Sequence, residues 1–241
     1  MCLIVFAWQV VPGMPLIAVA NRDEFDDRAA APAQWWEDFP QVYGGRDLRG
    51  GGTWMGITRE GRFAALTNIR APSEKRSDVR SRGELVANFL TGRATPELYL
   101  NQLQQSREDY NGYNLLFGSA TQLHWFSNRA ADDGRNGRAI MPGIYGLSNA
   151  SFDSPWPKVV RAKADFASLL CQAAPEDAFF EMLTDDRMAS DCRLPKTGIS
   201  IELERALSAV CIDTPGYGTR VSTIVKLGAD HRAYLQERTL R

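Results

Sequence analysis

The chain has 241 residues, of which 44% are hydrophobic and 24% are charged, and these are ordinary values for a globular protein. A net charge of -1 gives no general attraction to nucleic acid or anionic membrane, so we expect no nucleic-acid partner and no stable membrane insertion. Two histidines and four scattered cysteines without a CxxC pair disfavour a metal site. The length fits one large domain or two small ones.

No charged side chain precedes Arg22, and three interpretations of this first segment compete. A signal peptide needs a basic residue ahead of its apolar run, and none is present. A membrane span needs about 20 apolar residues, and the turn-forming segment 12–15 (PGMP) interrupts the stretch. Two short apolar runs joined by a Pro/Gly turn are typical of a β-hairpin. We therefore predict strand, turn, strand in a cytoplasmic protein with reduced thiols.

Turn residues and apolar periodicity predict the following elements. A loop is expected at 25–49, a second hairpin from strands 53–58 and 62–68, and a helix from a capping box at Ser81 and Glu84 to Gly92. The remaining predicted elements, in chain order, are a helix at 96–105, strands at 113–118, 123–127 and 143–147, helices at 154–171 and 175–183, an irregular segment at 185–200, a short helix at 201–207, and strands at 209–213, 221–227 and 233–237. Strand blocks separated by paired helices favour antiparallel sheets with helices outside.

Cys2 follows the initiator Met, which is normally removed before a small residue. Removal would leave a thiol and an α-amino group on one residue, and that amine has a pKa of about 7.7–8.0. It can therefore accept a proton near neutral pH, so the thiol needs no histidine as a base. The alternative is an ordinary buried cysteine, since its reactivity depends on its surroundings.

Several segments occur in an order that resembles the NRDE family, also called the transport-and-Golgi-organisation protein 2 family. They are MCLIVF, ANRDEFDDRAA, GGTWMGIT, GRFAALTNIR, RGELV, YNGYNLLFG, PGIYGLSNA with SPW, and PGYGTR with STI. The resemblance covers essentially the whole chain and implies a single domain, 1–241. It also implies an α+β fold, the four-layer αββα sandwich of two antiparallel sheets found in N-terminal nucleophile hydrolases. Eukaryotic members are linked to lipid and acyl-coenzyme A metabolism and to haem handling.

The bile-salt hydrolases and penicillin V acylases, which also begin with Met-Cys, provide a more distant likeness. Similarity to their motifs implies six further site residues beside Cys2, in this order: Arg22, Asp23, Glu24, Asn68, Asn149 and Arg220. An arginine would lower the thiol pKa, a carboxylate would orient the amine or the arginine, and an asparagine would donate to an oxyanion. The motif order leaves open which of the two carboxylates serves the site.

Structural roles for the same residues remain open. The arginine and its neighbouring carboxylates can form a simple ion pair, the two asparagines can be turn residues, and Arg220 can stack on Tyr217. Gly50-Gly51-Gly52 is not a phosphate loop, because no GK[ST] follows it.

Two functional hypotheses follow. The first is a cysteine-type N-terminal nucleophile amidohydrolase or acyltransferase that acts on a small-molecule substrate with an acyl-amide (non-peptide C–N) or thioester bond, uses Cys2, and needs no cofactor. The alternative is a non-catalytic binding or carrier protein for acyl-coenzyme A, lipid or haem, with Cys2 as a possible haem ligand. No sequence feature supports a role as a trafficking scaffold. The oligomeric state is left open by the sequence.

Overall fold

The computed structural model describes residues 2–241, in which strand blocks alternate with groups of helices. The strands are β1 (Cys2–Val11), β2 (Met14–Phe25), β3 (Ala30–Trp35), β4 (Val42–Asp47), β5 (Met55–Thr58), β6 (Phe63–Asn68), β7 (Tyr113–Gly118), β8 (Leu123–Ser127), β9 (Gly143–Leu147), β10 (Asp213–Thr214), β11 (Tyr217–Leu227) and β12 (Ala233–Thr239). The helices are α1 (Gly83–Thr91), α2 (Pro96–Gln105), α3 (Pro157–Cys171), α4 (Glu176–Met182) and α5 (Ile201–Ala206).

The strands form two antiparallel sheets of six strands each. The first sheet has the order β10-β11-β2-β1-β9, and β12 also pairs with β11. The second sheet runs β3-β4-β5-β6-β7-β8 without a crossover. In the first sheet β1 is hydrogen-bonded to β2 on one side and to β9 on the other, so its backbone is held along both edges.

Side chains of β1 alternate between two cores, as expected for a strand covered on both faces. Ile4, Phe6 and Trp8 belong to the core between the two sheets. Leu3 and Val5 pack instead against α3 and α4, which cover the outer face of the first sheet. The predicted first hairpin, with both faces of its first strand apolar, is therefore confirmed.

Helices α1 and α2 cover the outer face of the second sheet. Leu85 and Phe89 of α1 and Tyr99 of α2 pack there on Leu115 and Phe117 of β7. The layers therefore run helix, sheet, sheet, helix, and the predicted αββα sandwich is confirmed. Thr95 caps α2, because its hydroxyl accepts from the backbone N–H of Leu98 at 3.4 Å.

The prediction of a loop at 25–49 is wrong, because strands β3 and β4 lie in this segment. Pro32 is tolerated because β3 is an edge strand. The glycines of β4 resemble turn residues in the sequence. Gly45 instead leaves room for a neighbouring side chain, because a Cβ atom there would lie 2.1 Å from the ring of Trp54. Glycine therefore marks a close approach of an aromatic ring to the sheet at this position.

Two further predictions are corrected. Segment 209–213 is not a strand over most of its length; its apolar residues are buried as irregular chain, and Asn21 donates to the carbonyl of Val210 at 2.9 Å. The capping box at Ser81 does not form either. Glu84 pairs with Arg80 at 2.6 Å and accepts from the hydroxyl of Tyr110, so its carboxylate is drawn away from the helix start.

Candidate active site

Strand register places Cys2 directly opposite Arg22, near the end of the hairpin of β1 and β2. Because side chains alternate along a strand, Cys2 points to the same face as Ile4 and Phe6, toward the second sheet. The guanidinium of Arg22 lies 4.3 Å from the centre of the Trp54 ring, on the chain that leads into β5. Trp54 in turn rests against Gly45, so the cation is held between the two sheets.

A cleft of about 380 Å³ opens beside this pair. Five of the seven predicted site residues line it, namely Cys2, Arg22, Asp23, Glu24 and Asn68. The opposite wall comes from the loop at 47–54 and from segment 76–83, which leads into α1. The cleft therefore lies where the end of the first sheet meets the helix layer of the second.

Asn149 lies behind the cleft wall rather than on it. Its Nδ2 donates to the carbonyl of Asn68 at 2.9 Å, and its own carbonyl accepts from the backbone N–H of Arg70 at 2.8 Å. The neighbouring Ser148 hydroxyl donates to the carbonyl of Cys2 at 3.1 Å. Ser148 and Asn149 together therefore join the end of β6 to the strand that carries the thiol. Of the two predicted asparagines, Asn68 is the one that lines the cleft.

The structure does not bring Arg220 to the cleft. Its guanidinium donates to the carbonyls of Phe25 and Asp26 at 3.0 and 3.2 Å and to that of Arg241 at 3.2 Å. The register of β11 against β2 is irregular between Thr219 and Val221, so Arg220 lies at this bulge. Arg220 therefore closes the end of β2 and stabilises backbone there.

The two candidate carboxylates occupy different environments. Asp23 is 1% exposed, and its Oδ1 accepts from the hydroxyl of Thr219 at 2.7 Å. Glu24 is partly exposed, and its Oε2 is 3.6 Å from a guanidinium nitrogen of Arg22. Asp23 is the buried carboxylate beside residue 2, whereas Glu24 sits on the solvent side and pairs loosely with the arginine.

Burial dominates the electrostatics of the thiol. It raises the pKa of Cys2, and the negative charge of Asp23 acts in the same direction. The Arg22 guanidinium and a hydrogen bond from the backbone N–H of Asp23 lower that pKa in part. Burial also raises the pKa of Asp23, against the opposing charge of Lys158 and the Thr219 hydrogen bond.

Arginine dominates the rest of the cleft lining. Six arginines face three carboxylates there: Arg22, Arg28, Arg49, Arg76, Arg80 and Arg82 against Asp23, Glu24 and Asp47. The resulting formal surplus is three positive charges, and Asp47 is already bound by Arg28, with 2.6 Å between Nη2 and Oδ2. A cleft with this surplus attracts an anionic group.

Two site residues were not predicted from the sequence. Arg82 lines the cleft, and its pKa is lowered by burial but held up by the charges of Glu24 and Cys2, which places a second cation near the thiol. The other is Lys158 at the start of α3, which does not line the cleft but whose charge acts on Asp23 and Cys2. Arg82 belongs to the RGELV segment and Lys158 follows the SPW segment, so the motif positions were visible although their roles were not.

Residues 2–241 contain no group of three or more His, Cys, Asp or Glu side chains arranged to hold a metal ion. Within the same residues, none of the helices combines the length and the apolar character that crossing a bilayer requires.

Comparison with solved structures identifies the class of fold. The Caenorhabditis elegans ortholog of N-acylethanolamine-hydrolyzing acid amidase superimposes with a TM-score of 0.51 over 98% of this chain and 100% of that chain, at 11% sequence identity. The two antiparallel sheets between helix layers are the αββα fold of the N-terminal nucleophile hydrolases.

Sequence comparison then gives the family. The family model described as Transport and Golgi organisation 2 matches residues 1–241. The human (Homo sapiens) Transport and Golgi organization protein 2 homolog is 34% identical over 261 residues, which span 100% of this chain and 93% of that protein. The Drosophila melanogaster Transport and Golgi organization protein 2 is 30% identical over 269 residues, spanning 100% and 92%. The chain belongs to the Transport and Golgi organisation 2 family.

Proposed function

We propose that the protein is a cysteine-type N-terminal nucleophile amidohydrolase or acyltransferase that uses Cys2 after removal of Met1. The observation that carries the proposal is the position of Cys2: it lies on the cleft wall, opposite Arg22 in register and beside the buried Asp23. The substrate is a small molecule with an acyl-amide or thioester bond, and the chain's own residues suffice for the chemistry without a cofactor.

The reaction follows from the groups present. The α-amino group of Cys2 accepts the thiol proton, and the sulfur attacks the acyl carbonyl to give a tetrahedral oxyanion. Asn68, which lines the cleft, donates to that oxyanion in this proposal. The carbonyl re-forms, the C–N or C–S bond breaks, and the amine or thiol leaves with the proton from the amino group. Water hydrolyses the resulting thioester, or an acceptor takes the acyl group.

Selective labelling tests the nucleophile. Cys171 and Cys192 are exposed free thiols, so the test protein carries Cys171→Ala and Cys192→Ala as a silent background. Intact mass establishes removal of Met1, and a chloroacetamide probe followed by peptide mapping locates the reactive thiol. We expect labelling at Cys2 and turnover of an acyl-amide or acyl-thioester panel that Cys2→Ala abolishes. Unlabelled Cys2 in the Met-free protein, or full turnover by Cys2→Ala, would contradict the proposal.

The arginine surplus of the cleft favours a second candidate, a carrier for an anionic acyl ligand such as acyl-coenzyme A. Calorimetric binding of an acyl-coenzyme A to Cys2→Ala, without turnover by the wild-type protein, would select this candidate. Lipid with an anionic head group fits the same charge. Haem fits less well, because Trp54, Leu66 and Val79 are the large apolar residues in the cleft lining and a macrocycle needs more apolar wall.

A further inference from the structure

Two polar side chains lie in the layer between the two sheets, where their neighbours are apolar. Thr67 on β6 and Asn114 on β7 are register partners, and both are 0% exposed. They point to the same face as Ala65 and Leu116, which belong to the core between the sheets. Burial of a hydroxyl and an amide in such a place costs free energy unless each of them is hydrogen-bonded.

The Asn114 amide connects the second sheet to the chain that follows β9. Its Oδ1 accepts from Trp125 Nε1 at 3.2 Å, and because an indole nitrogen only donates, this contact fixes which way the amide faces. Its Nδ2 donates to the carbonyl of Ala150 at 2.8 Å and to the hydroxyl of Thr67 at 3.1 Å. That hydroxyl donates in turn to the carbonyl of Ser148 at 2.6 Å. The buried pair therefore spends its hydrogen bonds on fixing the segment 148–150.

The same segment holds the carbonyl of residue 2. The pairing of β1 with β9 ends at Ile4, which lies opposite Leu147. Beyond that point the Ser148 side chain continues the connection, since its hydroxyl donates to the Cys2 carbonyl at 3.1 Å. A continuous path of hydrogen bonds thus joins the second sheet to the residue that carries the thiol.

The position of this carbonyl matters because of what removal of Met1 leaves behind. Residue 2 then keeps one peptide plane, the plane that contains its own carbonyl, and the rotation between that plane and its Cα atom sets the direction of the α-amino group. In a strand the N–H and C=O groups of one residue point toward the same neighbouring strand. A hydrogen bond to the Cys2 carbonyl therefore acts on the strand edge toward which the amine is directed.

We propose that Asn114 is a positioning residue: through Ser148 it holds the carbonyl of Cys2 and so keeps the residue-2 amine in one direction. The use of that amine rests on the proposed function, in which it accepts the thiol proton. Asn114 does not line the cleft and acts only through the intervening hydrogen bonds. A fully bonded buried network makes a structure rigid, which suits a base that must stay in place.

The test observes the Cys2 carbonyl directly, in protein whose loss of Met1 is established by intact mass. Cys2-Leu3 is the sole Cys-Leu pair in the sequence. Cysteine labelled with ¹³C at its carbonyl, together with ¹⁵N-labelled leucine, therefore gives a single HNCO signal, which reports the Cys2 carbonyl. Ser148→Ala removes the donor and defines the direction in which the signal moves when this hydrogen bond is lost. We expect Asn114→Leu to move the signal in the same direction and to lower kcat for acyl substrates by up to about 100-fold, with little change in KM.

Asn128→Leu is the matched control. Asn128 is also buried, at 2% exposure, and also binds backbone, because it donates to the carbonyl of Arg107 at 2.9 Å and accepts from the N–H of Tyr113 at 2.9 Å. Loss of its side chain should lower stability in the same way but leave the Cys2 signal in place. A role of Asn114 in stability alone would make the two variants alike, and this outcome would contradict the inference.

A wild-type Cys2 signal in folded Asn114→Leu protein, or in Ser148→Ala protein, overturns the inference. If Asn114→Leu does not fold, Thr67→Val decides, because it removes the donor to the Ser148 carbonyl with little change in shape: a shifted Cys2 signal supports the inference, and an unshifted one overturns it. The NMR measurement needs no substrate. A shifted signal in a protein whose Cys2 never becomes acylated would therefore sink the proposed function and leave the link between Asn114 and the Cys2 carbonyl standing.

Discussion

Cys2 and Arg22 face each other across the first hairpin as direct register partners, and both line the same cleft. The guanidinium favours the thiolate, whereas burial opposes it, and burial is the larger influence on the pKa of Cys2. Under the proposed function, the thiol therefore needs its cations and a base to act as a nucleophile near neutral pH.

The first prediction concerns Arg22→Met. Loss of this cation raises the Cys2 pKa further, so alkylation of Cys2 at pH 7 should slow by about tenfold, and the pH–rate profile should move to higher pH. Arg59→Met is the matched control, since Arg59 also stacks on a tryptophan, Trp35 at 3.7 Å, but does not line the cleft. Alkylation rates measured by mass spectrometry from pH 5 to 10, in the Cys171/Cys192-free background, compare the two variants. Superimposable profiles for Arg22→Met and wild type would contradict the role of the cation.

Asn68→Ala separates chemistry from thiol reactivity. If Asn68 donates to the oxyanion, its loss should lower kcat for acyl substrates by about 100- to 1,000-fold. Alkylation by a small electrophile forms no acyl oxyanion, so its rate should remain near the wild-type value. Equal losses in both measurements would indicate a distorted site instead of a missing donor.

Asn149→Ala should act on stability. Asn149 is 1% exposed, and its side chain donates to the Asn68 carbonyl and accepts from the Ser148 hydroxyl. Removing the donor to the Asn68 carbonyl costs about 1–3 kcal/mol in the free energy of unfolding, whereas the Ser148 hydroxyl keeps the Cys2 carbonyl as its acceptor. Urea denaturation should show a lower midpoint for Asn149→Ala than for Asn68→Ala. The reverse order would mean that Asn149 does not hold the end of β6.

Gly52→Ala tests how the cleft wall is closed. A Cβ atom at Gly52 would lie 2.3 Å from the carbonyl carbon of Gly83. The loop at 47–54 and the start of α1 would therefore have to move apart. We expect a loss of about 1–3 kcal/mol in unfolding free energy, as for other overpacked sites. Gly51→Ala is the control: its φ of +71° costs about 1–2 kcal/mol in strain, but its Cβ meets no neighbour within 4 Å. Gly52→Ala should therefore change the alkylation rate of Cys2, whereas Gly51→Ala should change stability alone.

The Arg28–Asp47 pair predicts an acid-dependent contribution to stability. Burial raises the pKa of Asp47, but hydrogen bonds from Arg28 and from the backbone outweigh it, so the net pKa lies below the usual value. A carboxyl with a lowered folded-state pKa stabilises the protein above its unfolded pKa, and this contribution is lost as pH falls through the folded-state pKa. The stability difference between wild type and Asp47→Asn should therefore be largest near neutral pH and shrink below about pH 4. Urea denaturation near neutral pH and below about pH 4 measures this difference. Asp132→Asn, at an exposed position, is the control.

Elements with a strong local pattern were predicted with the correct first and last residues. Strands were missed where contacts with distant segments, and not the local pattern, determine the conformation. Strands β7, β8 and β9 have the predicted bounds because apolar runs stand between clear turn signals. Strands β3 and β4 were missed because Pro32 and Gly45 suggest turns, and only the position of Trp54 shows why glycine stands there. Local patterns do not contain such contacts between distant segments.

The same limit applies to the site. The order of the motifs selected Cys2, Arg22 and Asn68 as site residues, and all three line one cleft. Arg82, just before α1, and Lys158, at the start of α3, lie far from Cys2 in the chain, so no local spacing connects them to the thiol. Arg220 shows the converse case, since a residue chosen by motif similarity binds backbone carbonyls at the end of β2 and does not line the cleft.

Strand β1 is bonded along both edges, whereas much of the facing wall consists of loop and helix start. A substitution in that wall therefore alters the charge around the sulfur without displacing the strand that carries it.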